Sequence, residues 1–223
     1  IVYVDDDVIV IDKPAGLVVH PGAGNATGTL VQAMLAIYPE LANIGEPERP
    51  GVVHRLDKDT SGLMLMARSP EAHVELSSML AAHEVERTYL ALVWGIPDAG
   101  SGLIDAPIGR STREPTKMVV SAQGREARTR YTVLEIFDES VQCALVECRL
   151  ETGRTHQIRV HMAAIGHSVV GDDRYRGARP AIETPRIFLH SAALAFDHPV
   201  RLDERLEFVS ELPEDLAAVL ERI

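Results

Sequence analysis

HRLDKDTSGLMLMA, residues 54–67, is the stretch on which the reading of this chain turns. His54, Arg55, Asp57, Lys58, Asp59 and Thr60 fall within seven positions, and the stretch ends in an unbroken apolar run. A short apolar run bounded by turn residues predicts a buried strand. The polar cluster therefore occupies a loop between ordered elements, and Asp57 with it. A tight turn accounts for part of the cluster, with Asp59 or Thr60 bonded to the local backbone and Arg55 paired elsewhere. A fold rarely needs so many reactive groups in one loop, which makes the cluster a candidate for chemistry.

Upstream, VIVI at 8–11, the turn signal DKPAG and the run LVVH predict strand, turn, strand. Leu30, Ala33, Met34 and Ile37 keep the spacing of a helix with one buried face, and LANIGEPERPG is loop by composition. Downstream, Ser69, Pro70 and Glu71 form a helix start, with Ala72, Leu76, Met79 and Leu80 as its buried stripe. ERTYLALVWG predicts a strand, and ARTRYTVLEIF and VQCALVECRLE two more, joined by a turn around Asp138 to Ser140. THQIRVHMAAIGH predicts a helix capped by Thr155, with Ile158, Met162 and Ile165 inward and Gly166 as terminator. PEDLAAVLERI predicts a closing helix. Neighbouring strands with helices at irregular intervals imply one α+β body with a mixed, largely antiparallel sheet rather than a βαβ series.

The 223 residues suffice for one catalytic body or two closely packed lobes, and 46% hydrophobic with 25% charged residues is ordinary globular composition. No apolar run approaches the roughly 18 to 20 residues that cross a bilayer, and IVYVDDDVIV lacks the basic lead of a secretory signal. A cytoplasmic protein, without membrane association, is the expectation. Cys143 and Cys148 lie five apart, an odd offset that sends strand side chains to opposite faces and argues against a disulfide. Two thiols also fall short of the usual four zinc ligands.

The net charge of −11 argues against holding a polyanion by overall charge, but local patches are another matter. Arg110, Arg113, Lys117, Arg125, Arg128 and Arg130 stand against Glu114 and Glu126, so that segment carries +6 − 2 = +4. Its tract GRSTREPTK is expected to be flexible. A second polar cluster, ETGRTHQIRVH, carries Arg154, His156, Gln157, Arg159 and His161 at a helix opening. Gln157 and Arg159 lie off the apolar stripe. A helix start rich in exposed donors suits a phosphate or carboxylate, because its free amides and dipole favour anions.

HRLDKDTSGLMLMA, RTYLALVWG, LETGRTHQIRVHMAAIGHSVVGDDRY and LHSAALAFDHP together resemble the RluA/RluD family of pseudouridine synthases. DKPAGLVVHPGAGN looks most like the branch that modifies the large ribosomal RNA, and the resemblance runs in order from about residue 2 to residue 213. It implies a long mixed sheet in two halves with a central catalytic cleft, RNA as partner, and no cofactor or metal. It implies Asp57 as the catalytic residue, Tyr89 stacking on the target uracil, and Arg159 paired with the catalytic carboxylate. Leu189 is expected against the uracil, His54, Arg55 and Arg154 against the substrate, and Arg113 and Lys117 on the RNA phosphates. His190, His161 and His198 are expected to be structural, as are Lys13 and Pro14. Residues 1–223 are expected to be the whole catalytic domain, monomeric, without the small RNA-binding domain that often precedes it in this branch. The abrupt start at Ile1 then implies a truncated or proteolysed product.

Turning a nitrogen-linked uracil into a carbon-linked one requires breaking the glycosidic bond, turning the bound base and removing the proton of carbon 5. A carboxylate can attack the sugar, attack the base, or remove a sugar proton, and the residues leave all three routes open. A neighbouring guanidinium would offset the cost of burying that carboxylate. Three rivals are weaker. GAGNATG gives GxGxxxG rather than the dinucleotide GxGxxG, after an interrupting Pro21. An RNA-binding module without catalysis need not keep Asp57, Tyr89 and Arg159 together. A carboxylate hydrolase would need Asp57 and Asp59 about 5 to 10 Å apart across a bond.

Overall fold

The computed structural model describes residues 1–22 and 24–223. Its class is α+β: among the described residues nine strands belong to one large mixed, mostly antiparallel sheet, with four α-helices along the chain. The chain forms two compact units, Ile1–Glu86 with Ala193–Ser210 and Arg87–Ala192 with Glu211–Ile223. No helix among the described residues is long and apolar enough to cross a membrane.

In the first unit β1 (Tyr3–Val4), β2 (Val8–Lys13) and β3 (Ser61–Ala67) run antiparallel in that order. β3 is buried at every position, which is why it reads as an unbroken apolar run. Its register pairs Val8 with Ala67 and Lys13 with Gly62, so the end of β2 meets the start of β3. LVVH is not the second strand its composition predicts. The Val18 and Val19 carbonyls accept the Leu30 and Val31 N–H groups at 2.9 Å each, so the segment closes the open start of α1 (Leu30–Ile37) instead of joining the sheet. α1 buries Leu30, Val31 and Met34, while Ala33 and Ile37 are exposed. Eight residues are about two turns, too few for spacing to settle which face turns inward. α2 (Pro70–Ala82) starts where expected: Ser69 Oγ accepts the Ala72 N–H at 3.1 Å and donates to Asp7 Oδ1 at 2.7 Å. Ala72, Leu76 and Met79 are buried, and Leu80 only half so. An antiparallel pair, residues 193–197 with Arg205–Val209, completes the unit. Residue 23 of the GAGNATG loop lies outside the described residues.

The second unit is an antiparallel array in the order β4 (Glu86–Trp94), β9 (Cys143–Leu150), β8 (Arg128–Phe137) and β5 (Ser101–Asp105). β6 (Ile108–Arg110) and β7 (Met118–Val120) form a separate hairpin against α3 (Gln157–Ala164). One core cluster joins Leu92, Trp94, Cys143 and Phe188 to Leu216 and Val219 of α4 (Glu214–Leu220); a second joins Ile108, Ala127, Val160 and Tyr175. α4 has no side-chain cap. Cys143 and Cys148 are free and buried, and burial pushes their thiols up to about 11 and about 12, as befits packing residues.

α3 corrects three expectations. Its cap is His156, in the left-handed region at φ 57°, not Thr155. Ile165 is 38% exposed, whereas Gln157, Val160 and His161 join Ile158 and Met162 in the interior. Polar side chains turn inward here because each finds a partner there. Gln157 Oε1 accepts from Thr152 Oγ1 at 2.7 Å and the Arg154 N–H at 2.9 Å, and its Nε2 donates to the Arg128 carbonyl at 2.9 Å and Thr129 Oγ1 at 3.0 Å.

Candidate active site

Asp57 is half-buried in the loop before β3, with Lys58 and Asp59 exposed beside it. Lys13, wholly buried at the end of β2, fixes that loop from below. Its Nζ donates to the carbonyls of Pro14 at 2.8 Å, Leu17 at 2.9 Å and Lys58 at 3.1 Å, and the Gly16 N–H donates to the same Lys58 carbonyl at 2.9 Å. An ammonium has three protons to give, and each of these has an acceptor. DKPAG thus has a structural use: it is the brace of the Asp57 loop. Upstream, His54 Nε2 accepts the Leu65 N–H at 2.9 Å, tying the loop to β3. Arg55 is exposed, with Nη1 donating to His20 Nε2 at 3.0 Å. The Asp57 carbonyl accepts the Thr60 N–H at 3.2 Å and closes the turn through backbone; Thr60 Oγ1, buried, has no hydrogen-bond partner among the described residues.

The second unit arranges Arg159. Asp172, whose side chain is fully buried, grips it through two hydrogen bonds, Nε to Oδ2 at 2.7 Å and Nη2 to Oδ1 at 2.9 Å. Such a fork fixes the plane of a guanidinium as well as its position. Asp172 Oδ1 also accepts the N–H groups of Arg174 at 3.0 Å and Tyr175 at 3.1 Å, which orient the carboxylate in turn. The Arg159 guanidinium lies 5.2 Å from the centre of the Tyr175 ring. The Tyr175 hydroxyl accepts the Met118 N–H at 3.2 Å and lies 2.9 Å from His156 Nδ1. Asp172 and Tyr175 belong to the GDDRY segment, in which adjacent aspartates look alike in sequence; only packing distinguishes the buried Asp172 from the exposed Asp173.

Tyr89 on β4 is 5% exposed, and Leu189, which opens β10 (Leu189–Asp197), is 4% exposed; β4 and β10 are neighbours in the sheet. Arg154 donates from Nε to the Glu126 carbonyl at 2.8 Å. His161 is structural: its ring nitrogens lie 2.9 Å from Thr129 Oγ1 and 2.9 Å from the Ala106 carbonyl, and burial lowers its pKa. His198, in the first unit, bonds Asp5 through Nε2 at 3.0 Å and accepts the Val200 and Arg201 N–H groups at Nδ1.

GRSTREPTK forms the hydrogen-bonded turn that joins β6 to β7. Ser111 Oγ accepts the Arg113 and Glu114 N–H groups at 3.2 and 3.1 Å, Arg110 reaches the Pro115 carbonyl at 3.0 Å, and Arg174 reaches that of Thr116 at 2.7 Å. Within the basic segment Arg128 is engaged by Asp105, Glu126 and Glu151, and Arg130 by Glu151. Arg113, Lys117 and Arg125 have no ion pair among the described residues; Lys117 Nζ lies 5.6 Å from the centre of the Tyr175 ring. One group of possible metal ligands, Asp5, Asp7 and His198, lies elsewhere, where Arg201 and Ser69 already occupy the carboxylates.

Residues 7–164 match the family model described as RNA pseudouridylate synthase. The chain belongs to that family. It is 47% identical over 223 residues to an uncharacterized RNA pseudouridine synthase of Bacillus subtilis, covering all of this chain and 72% of the relative. It is 46% identical over 230 residues to the ribosomal large subunit pseudouridine synthase D of Nitrosomonas europaea, spanning all of this chain and 64% of that protein. Its fold matches the human RNA pseudouridylate synthase domain containing 1 with a TM-score of 0.75 at 26% identity, over 98% of this chain and 86% of the human one. Family membership makes the chain an RNA pseudouridine synthase, an isomerase acting on RNA, as the four quoted motifs imply.

Proposed function

We propose that this chain converts specific uridines of large-subunit ribosomal RNA into pseudouridine, with Asp57 as the catalytic residue and no cofactor. The observation that carries the proposal is the bracing of the Asp57 loop by Lys13 and His54, which holds one half-buried carboxylate at a fixed height beside β3. Five of the relatives between 44% and 48% identical carry the name ribosomal large subunit pseudouridine synthase D, which supports the choice of RNA.

In the reaction the bond from N1 of uracil to C1′ of ribose breaks, the base turns in place, a bond from C5 to C1′ forms, the proton of C5 leaves to water, and N1 takes up a proton in its place. Asp57 acts by attacking the sugar, attacking the base, or removing a sugar proton. Arg159, held in one plane by Asp172, balances its charge, and Tyr89 offers an aromatic face to a uracil drawn out of its stack. Leu189 touches the uracil. His54, Arg55 and Arg154 contact the substrate, and Arg113 and Lys117 hold its phosphates.

Asp57→Asn keeps the shape of the carboxylate but can neither attack carbon nor accept a proton, so it should abolish turnover while leaving fold and RNA affinity intact. Asp59→Asn, in the exposed part of the turn, should retain most of the rate. The measurement is tritium release from RNA labelled at C5 of uridine under single turnover. Release by Asp57→Asn at the wild-type rate would overturn the assignment.

A further inference from the structure

Arg87, the second residue of β4, is 5% exposed, yet no carboxylate meets it among the described residues. Among the described residues its side chain makes one hydrogen bond, from Nη2 to the Leu150 carbonyl at 3.5 Å, and its buried Nε has no partner there. A guanidinium cannot shed its proton, and an unpaired charge away from water is costly, so a neutral carbonyl at that distance does not compensate it. Burial lowers its pKa, in keeping with an uncompensated site.

The tip of the side chain faces the loop that leads into α3. A Cβ on Gly153 would stand 2.7 Å from Arg87 Nη1, although Gly153 has none of the positive φ that calls for glycine. The missing side chain therefore serves space rather than backbone. Gly153 and Thr155 are exposed, and their N–H groups make no hydrogen bond among the described residues. Gln157 locks this loop from beneath through Thr152 and Arg154, so the donors sit on a rigid frame at the positive end of the helix.

We propose that Arg87, with the Gly153 and Thr155 amides at the head of α3, is an anion site that takes a backbone phosphate of the RNA at the target nucleotide. The inference rests on the function proposed above, in which the target uracil stacks on Tyr89. Arg87 and Tyr89 are two apart on one strand and share a face, about 7 Å from each other, which is close to the span from a base to its own phosphate. A phosphate supplies the countercharge that the buried guanidinium lacks, whereas uracil oxygens would not.

The test follows binding without turnover. Thermal unfolding of the wild type is recorded with inorganic phosphate against chloride at equal ionic strength, and the affinities for uridine 5′-monophosphate and uridine are compared by calorimetry. Phosphate should raise the melting temperature where chloride does not, and the nucleotide should bind at least tenfold more tightly than the nucleoside. Arg87→Met removes the charge, and Gly153→Ala pushes a methyl group against Nη1. Either variant should lose the phosphate response and bring the two affinities within about twofold. Since Arg87→Met can fail by misfolding, Gly153→Ala decides in that event. Equal responses to phosphate and chloride, or variants that respond as the wild type does, would overturn the site. Tritium release by the wild type reports separately, so a phosphate site in a protein that makes no pseudouridine would count against the function and not against the site.

Discussion

At the scale of single residues, the sequence directs attention to Asp57 and Arg159 but says nothing of the residue that holds Arg159 in place. Asp172 does so through a two-bonded fork in the interior, with 0% of its side chain exposed against 12% for Arg159. Asp172→Asn keeps one acceptor for the Arg174 and Tyr175 amides but loses the charge and half the fork. Guanidinium displacement of about 1 Å can cost on the order of 10²-fold in rate. The expected result is a fall in kcat of that order with KM for RNA little changed, read in single and multiple turnover. A purely structural Asp172 would instead lower the melting temperature with kcat per folded molecule intact. His54 carries a similar lesson: its Nε2 is committed to the Leu65 amide, a bond that reactive residue types in a loop do not announce.

At the scale of elements, β3, α2, β4, β8 and β9 were legible because each has a long or sharply bounded pattern, with Ser69 as a cap that its structure uses. LVVH and the inward face of α3 were not. Val18 and Val19 turn their carbonyls to α1, and Gln157 and His161 go inward, because partners elsewhere in the chain complete their hydrogen bonds. The brace of the Asp57 loop is of this kind too. Lys13→Met should leave carbonyls of Pro14, Leu17 and Lys58 short of a donor, at a cost of about 3 kcal/mol. For a chain of this size that is a drop of roughly 6 to 12 °C in melting temperature. A melting temperature equal to the wild type's would refute the bracing. The basic hairpin makes a different forecast: Arg113→Ala and Lys117→Ala should each lower the slope of log affinity against log salt by roughly one without altering kcat. Unchanged slopes would remove both residues from the RNA contact.

At the scale of the molecule, the first unit joins distant parts of the chain through Asp5. Burial opposes its ionisation, but the Val8 and Asp7 amides, the Tyr3 hydroxyl and His198 outweigh that and hold its pKa at about 2, below the ordinary 3.8. A carboxyl with a depressed folded-state pKa stabilises the protein above its unfolded value and loses that contribution as pH falls through the folded one. Stability should therefore decline between about pH 4 and 2, and Asp5→Asn, already lacking the charge, should show a flatter decline in denaturant midpoints over that range. Equal slopes for both proteins would count against the assignment. Composition, the apolar runs and four motifs determined by themselves that this is an α+β pseudouridine synthase, with Asp57 in a loop ahead of a buried strand. Those features are local, carried by side-chain order over a few turns or strand lengths. Only the tertiary structure decided which polar residues are tools and which are struts. Lys13, His54, Gln157, Asp172 and Arg87 owe their places to neighbours 11 to 45 positions away or to the lack of one, and a hydrogen-bond partner or a missing countercharge is a property of the folded interior, not of residue order.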